Sequence, residues 1–160
     1  EPVPEALSYI EAQIEVMFGL QHQSGIIEGW WGDGNFVRTA LMYALMKSQG
    51  VHTDGWRADL RFGATVCDGT LYLAVAADEP WYGRLLFDVP RHQRHLNLPW
   101  CYPRLNEFPE WFTLQPGGLY AVAELGQPER VVTAEELEVG LVVALEPGAL
   151  SRQLTVRRLP

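Results

Sequence analysis

Apolar positions recur at helical spacing over the first fifty residues and at strand spacing over much of the remainder. Within residues 4–20 they fall at Leu7, Ile10, Ile14, Met17 and Phe18. Steps of three and four place such positions on one face of a helix. Glu5, Glu11 and Glu15 lie toward its N-terminal half, where the helix dipole favours carboxylates. Gly19 and the polar run 21–25 end it. A second helix is expected to begin near Asp33 or Asn35, either of which can accept a bond from first-turn amides. Its apolar positions are Phe36, Val37, Ala40, Leu41, Ala44 and Leu45, and Met42, Tyr43 and Met46 carry them most of the way round. Gly50 supplies the stop. A helix this apolar is normally buried by more than one neighbour, so the pattern implies a larger helical assembly.

After His52 the texture changes. Strand-like stretches are expected at 56–66, 70–76, 84–89, 94–98, 119–125, 141–146 and 153–159, with Asp68-Gly69 as a hairpin turn. Pro80, Pro90, Pro99, Pro103, Pro109, Pro116, Pro128 and Pro147 punctuate them, as turns and sheet edges require. Thr133 and Glu136 have capping-box spacing for one short helical turn. Short strands without βαβ alternation indicate an antiparallel sandwich or barrel. The expected class is α+β: an N-terminal helical hairpin over 1–52, followed by an antiparallel β-sandwich over 53–160.

Charge narrows the partners. The net charge is −8, Lys47 is the only lysine, and the arginines are scattered. Nucleic-acid binding draws on clustered cations, so no nucleic-acid partner is expected. No apolar run reaches the roughly 18 residues that span a bilayer, and no membrane partner is expected. The chain opens on Glu1 rather than Met, and is expected to be a trimmed, processed or partial polypeptide. Cys67 and Cys101 lack CxxC spacing; two buried free thiols are expected, with a single bridge as the alternative in an exported protein. His92 and His95 show no zinc-ligand spacing with them, so neither metal nor cofactor is expected. On a strand, His92 and His95 would point to opposite faces. Serine-hydrolase, P-loop, dinucleotide and HExxH motifs are absent from the sequence.

Two stretches carry candidate chemistry. The first is Glu28-Gly29-Trp30-Trp31-Gly32-Asp33-Gly34-Asn35, ahead of the second helix. Sugar rings stack their C–H faces on indole and offer hydroxyls to carboxylates and amides, while glycines let backbone approach a ligand closely. Glu28 and Asp33 are the acid/base candidates for glycosidic cleavage, and His22 is the histidine placed to act as a base. The competing reading packs Trp30 and Trp31 into a corner and makes Asp33 a helix cap. The second stretch runs from Trp100 to Phe112 and interleaves aromatics with Arg104, Asn106, Glu107 and Glu110. It reads as a long ordered loop, either a binding element or a hydrophobic lid. Trp30, Trp31, Asn35, Arg38, Arg104 and Trp111 are the substrate-binding candidates.

The stretch GWWGDGNFVRTALMYAL, residues 29–45, resembles the closing inner helix of α/α-toroid carbohydrate-active proteins. That group includes unsaturated glucuronyl hydrolases and heparinase-type or alginate-type polysaccharide lyases. The segment from Trp81 through Asp88 to Trp111-Phe112 looks like the C-terminal sheet region of uncharacterised bacterial proteins of that architecture. The resemblance implies the C-terminal portion of an exported bacterial glycoside hydrolase or polysaccharide lyase. In such toroids the cleft lies where inner-helix N-termini converge, which would place Glu28, Trp30, Trp31, Asp33 and Asn35 at its edge. A glycan or oligosaccharide is the implied partner, and a missing N-terminal helical region or a partner chain would complete the toroid. In a lyase, Arg38 or Asn35 would help to neutralise a uronate carboxylate. The rivals are a non-catalytic carbohydrate-binding module and a structural domain that docks on another chain.

Overall fold

The computed structural model describes residues 4–24, 27, 34–99 and 110–160, and the fold is α+β. Among the described residues, helices α1 (Pro4–Phe18) and α2 (Asn35–Ser48) precede eight strands and two short helices. The chain divides into two compact units, Glu1–Ala44 and Leu45–Pro160.

In the first unit Ile14, Met17 and Ile27 are buried, with Phe36, Ala40 and Tyr43 of α2 packed against them. Phe18 meets Tyr43 edge to face, with ring centroids 6.3 Å apart. A bridge between Gln21 and Ile27 closes the turn after α1. The two apolar faces are only partly covered. Leu7 and Ile10 of α1, and Val37 and Leu41 of α2, remain exposed. One hairpin has too little surface to cover helices that are apolar over so wide an arc.

The second unit holds two antiparallel sheets. β1 (Val51–Thr53), β4 (Trp81–Phe87) and β7 (Leu141–Leu145) form one, in the order β1-β4-β7. β2 (Arg61–Cys67), β3 (Thr70–Ala76), β8 (Ser151–Arg158), β5 (Leu119–Glu124) and β6 (Arg130–Thr133) form the other, in the order β2-β3-β8-β5-β6. Alternation sets the inward faces: Leu71, Leu73 and Val75 of β3 are buried while Tyr72 and Ala74 point out. Side chains from both sheets join one core, with Val51, Leu85, Phe87 and Val143 from one and Leu71, Val75, Tyr120 and Val156 from the other. That shared core makes the sheets a sandwich. Asp68 and Gly69 have φ of 49° and 73°, the paired positive values of the tight turn that joins β2 to β3.

Several local expectations change. β1 and β6, too short to show alternation, join the strands anticipated from the pattern. Residues 94–98 form no strand; helix α3 (Arg91–Arg94) stands just ahead of them. Pro90 supplies φ −67° at its entrance, and its carbonyl accepts from Arg94 at 2.8 Å, a helical start that proline's fixed φ favours. His92 and His95 therefore do not sit on opposite faces of a strand: His92 is buried and His95 exposed. Cys67 ends β2 and is exposed, against the expectation of a buried thiol, because the burial alternation of β2 leaves that position on the outer side. Cys101 lies outside the described residues. The capping box forms at helix α4 (Ala134–Val139), where Thr133 Oγ1 accepts from Glu136 N and Glu136 Oε2 accepts from Thr133 N.

An aromatic ladder fixes one end of the core. Phe112 meets Phe87 at 6.4 Å and Tyr120 at 6.2 Å, both edge to face, the arrangement aromatic quadrupoles favour. The fully buried Tyr120 hydroxyl accepts from Gln115 N at 2.7 Å. At the other end of β4, the Trp81 indole lies over Gly83. A Cβ on Gly83 would stand 2.3 Å from Trp81 Cζ2, so no larger residue fits without displacing the ring. Gly83→Ala is expected to lower stability by about 1–3 kcal/mol, the usual cost of overpacking. Thermal denaturation checks this, and an unchanged melting temperature would mean that Trp81 moves freely.

Candidate functional site

The candidates read from the sequence separate into two groups. Glu28, Trp30, Trp31, Asp33 and Arg104 lie outside the described residues. His22 is exposed within the bridged turn between Gln21 and Ile27. Asn35 and Arg38 come together at the start of α2, where Arg38 Nη2 donates to Asn35 Oδ1 at 2.9 Å. Thr39 Oγ1 donates to the Asn35 carbonyl at 2.8 Å, which holds that first turn. Trp111 belongs to the second unit and is half-buried beside the core residue Phe112.

An aromatic surface that sequence reasoning passed over lies where β1 leads into the 54–60 segment. Trp56 is 89% exposed and Tyr82, on the outer face of β4, is 77% exposed. The ladder between β1 and β4 pairs Thr53 with Leu85, and Asp54 N then donates to the Arg84 carbonyl at 3.1 Å. Three residues on, Arg57 donates to the carbonyls of Glu79 and Pro80, each at 2.7 Å. Trp56 is thus held between two anchors, one to β4 and one to the β3–β4 connection. Thr53 Oγ1 donates to the Gly55 carbonyl at 2.8 Å, which tightens the bend between the anchors.

Asp59 is the centre of the second anchor. Its carboxylate takes Arg57 Nη2 at 2.8 Å and the backbone N–H groups of Asp78 and Glu79, both at 3.1 Å. The Arg57 guanidinium, helped by those two amides, holds the Asp59 carboxyl below its ordinary range. Arg61 grips Asp78 through both guanidinium nitrogens, at 3.1 and 2.6 Å. That pairing lowers the Asp78 pKa and raises that of Arg61. Trp56 is in a stretch reading Asp54-Gly55-Trp56-Arg57-Ala58-Asp59. The available signal was a tryptophan set among the turn and charged residues Asp54, Gly55, Arg57 and Asp59.

A second cluster is buried. Glu110 Oε1 accepts from His92 N at 2.8 Å and meets His92 Nδ1 at 2.7 Å, with both side chains almost fully buried. Beside them Asp88 accepts from Val89 N and from Arg91 Nε, each at 2.9 Å. Burial pushes the Asp88 carboxyl up; Arg91 and the Val89 amide oppose the shift and the nearby Glu110 charge adds to it. The arrangement ties α3 to the start of the Phe112 segment, and Leu114 N completes the tie on the Asp88 carbonyl at 2.8 Å. Its polar atoms are directed into the fold, which makes it a structural knot.

Among the described residues, a surface recess of about 430 Å3 is walled by Arg84, Glu135, Glu136, Val139 and Gly140. Its walls serve the fold. Glu136 caps α4, Glu135 accepts from Gly117 N at 3.1 Å, and Arg84 donates to the Gly140 carbonyl at 3.3 Å. Backbone amides of Glu135 and Gly117 draw the Glu135 pKa down. Among the described residues, no group of three or more His, Cys, Asp or Glu is placed to hold a metal ion. None of the described helices is long and apolar enough to cross a membrane. No protein-family model matches the chain, and no curated protein and no solved structure matches it.

The Asp88 shift has a pH consequence. A carboxyl raised in the folded state binds its proton there more tightly than in the unfolded chain, so its contribution to stability falls as pH rises from the ordinary carboxyl range through the folded value. Asp88→Asn removes this titration and keeps an acceptor for Val89 N. The stability difference between variant and wild type should move in the variant's favour across that window and then level off. Urea denaturation at a series of pH values reads it; a difference that is flat or moves the other way contradicts the assignment.

Proposed function

We propose that this chain is the C-terminal portion of a bacterial carbohydrate-active protein, of glycoside hydrolase or polysaccharide lyase type, and that its sandwich unit binds glycan. The observation that carries the reading is the exposure of two aromatics of the sandwich unit, Trp56 and Tyr82, with the backbone around Trp56 anchored. Tryptophan is among the more buried residue types on average. Leaving a large side chain in water forgoes roughly 2–3 kcal/mol of burial. Single exposed apolar residues need no explanation; a tryptophan almost wholly in water on a doubly anchored bend favours a ligand. An indole and a phenol offer flat faces for the C–H side of a pyranose, and the Tyr82 hydroxyl adds a polar handle.

The helical hairpin belongs to the same reading through the sequence resemblance. Its exposed Leu7, Ile10, Val37 and Leu41 favour further helical neighbours, as in a toroid. Glu28 and Asp33 remain the proposed acid/base pair of the intact protein, with His22 as an alternative base. Trp30, Trp31, Asn35, Arg38, Arg104 and Trp111 remain the proposed substrate-binding residues. Export to the periplasm or cell exterior follows from the same proposal.

Calorimetric titration with a panel of oligosaccharides tests the binding role. Trp56→Ala should weaken the tightest glycan by at least about tenfold, as loss of a central aromatic contact does. Its stability should change by less than about 0.5 kcal/mol, since an exposed side chain contributes little to folding. Unaltered affinity in the variant, or no affinity in the wild type, rejects the glycan-binding surface.

A further inference from the structure

β7 is the outermost strand of the three-stranded sheet and, among the described residues, pairs only with β4. In an antiparallel ladder alternate residues turn both main-chain groups toward one neighbour, and the residues between them turn theirs the other way. Asp54 N donates to the Arg84 carbonyl at 3.1 Å and Asp88 N to the Gly50 carbonyl at 2.7 Å, so the even-numbered positions of β4 face β1. Arg84 stands opposite Val142 and Tyr82 opposite Ala144. Val142 and Ala144 therefore direct their N–H and C=O groups away from β4, along the open side of the sheet. The Ala144 carbonyl agrees, since it accepts from Arg152 Nε at 3.1 Å. An open strand edge is a template for another chain. Here an arginine closes the carbonyl at each end. Arg84 Nη1 donates to the Gly140 carbonyl at 3.3 Å, and Arg152 reaches Ala144 from β8 while paired with Glu124. Between them stand the Val142 N–H and C=O and the Ala144 N–H. β7 itself, Leu141-Val142-Val143-Ala144-Leu145, holds no charge, proline or glycine to discourage pairing. Its protection comes from side chains of other strands.

We infer that Arg84 and Arg152 hold the β7 edge closed to strand addition, and that the partner they exclude is a second copy of this chain. A second β7 is uncharged, apolar and equal in length, so it matches this edge in every respect but the two arginines. Two copies would pair β7 with β7 antiparallel about a twofold axis. Centred on Leu141, the pairing sets Gly140 opposite Val142 and claims the carbonyl that Arg84 occupies. Centred on Val143, it sets Val142 opposite Ala144 and claims the carbonyl that Arg152 occupies. Centred on Val142, it offers one free pair at the axis. Gly140 of each copy then faces Ala144 of the other, and Arg84 of one meets Arg152 of the other, where like charges repel. All three registers are blocked. The inference concerns β7 alone and stands apart from the glycan reading.

Hydrogen–deuterium exchange of the Val142 and Ala144 amides, read by NMR on the full chain at rising protein concentration, tests this. In wild type both amides should exchange at rates independent of concentration, whatever contacts other surfaces make. Arg84→Ala opens the Gly140 carbonyl, and Arg84 is exposed, so the variant should keep its fold. Exchange at Val142 should slow as its concentration rises. The dissociation constant of that pairing should fall at least about tenfold below wild type, through two recovered interchain hydrogen bonds. Arg84→Ala combined with Arg152→Ala should protect Ala144 as well. If the double variant fails to fold, Arg84→Ala decides alone. Folded Arg84→Ala whose exchange ignores concentration overturns the inference. Concentration-dependent protection of these amides in wild type overturns it too, because the edge would then already be open.

Discussion

The ion pair between Arg57 and Asp59 is the interaction on which the candidate surface depends. Residues 54–60 follow a strand of three residues and precede one of seven, and they lie in no ladder of their own. Such a connection would ordinarily be the most mobile part of a sandwich. Here Asp59 collects a guanidinium and two backbone amides, while Arg57 reaches two carbonyls of the segment between β3 and β4. An isolated surface ion pair contributes little. This pair matters through what it joins, because its partners are main-chain groups of the β3–β4 connection. The bend becomes part of the sheet edge, and Trp56 is presented with its backbone already ordered. Ordering before binding reduces the entropy lost when a ligand arrives.

The core beneath that edge is organised differently at its two ends. At the start of β4, Trp81 turns inward over Gly83 and packs against the core, so consecutive aromatics Trp81 and Tyr82 serve opposite faces. At the end of β4, Phe87, Phe112 and Tyr120 interlock, and the Asp88–Arg91 and His92–Glu110 pairs cover them. The polar pairs there bind one chain segment to another. The exposed charges near Trp56 also bind segments together, and in addition set the local potential that a ligand meets. Similar residues therefore do different work according to burial.

Much of the architecture was legible in the sequence because its elements obey local rules. The three-and-four spacing of α1, the alternation of β3, the Asp68-Gly69 turn and the Thr133–Glu136 box each carry their own signal. The misread parts depend on partners distant in sequence. β1 and β6 are too short to alternate. Residues 94–98 looked extended because their charged and apolar residues alternate, whereas Pro90 and Asp88 organise a helical turn just upstream. The burial of His92 needs Glu110, eighteen residues on, and no local pattern announces that pairing. The expected strand at 56–66 takes in Trp56 because partial alternation extends five residues ahead of Arg61, where β2 begins. The richest aromatic stretches, around Trp30 and from Trp100, drew attention by composition. Trp56 stands alone in sequence, and its exposure on an anchored bend shows only in the fold.

The most direct measurement is the indole N–H resonance of Trp56, assigned by its loss in Trp56→Phe, followed in two-dimensional NMR as a neutral oligosaccharide is added. The anchored, exposed ring should shift saturably, with backbone amides of 53–57 and 81–83 moving on the same binding curve. A Trp56 resonance that stays still while other tryptophans respond would place the glycan elsewhere and contradict the role given to this edge of the sandwich.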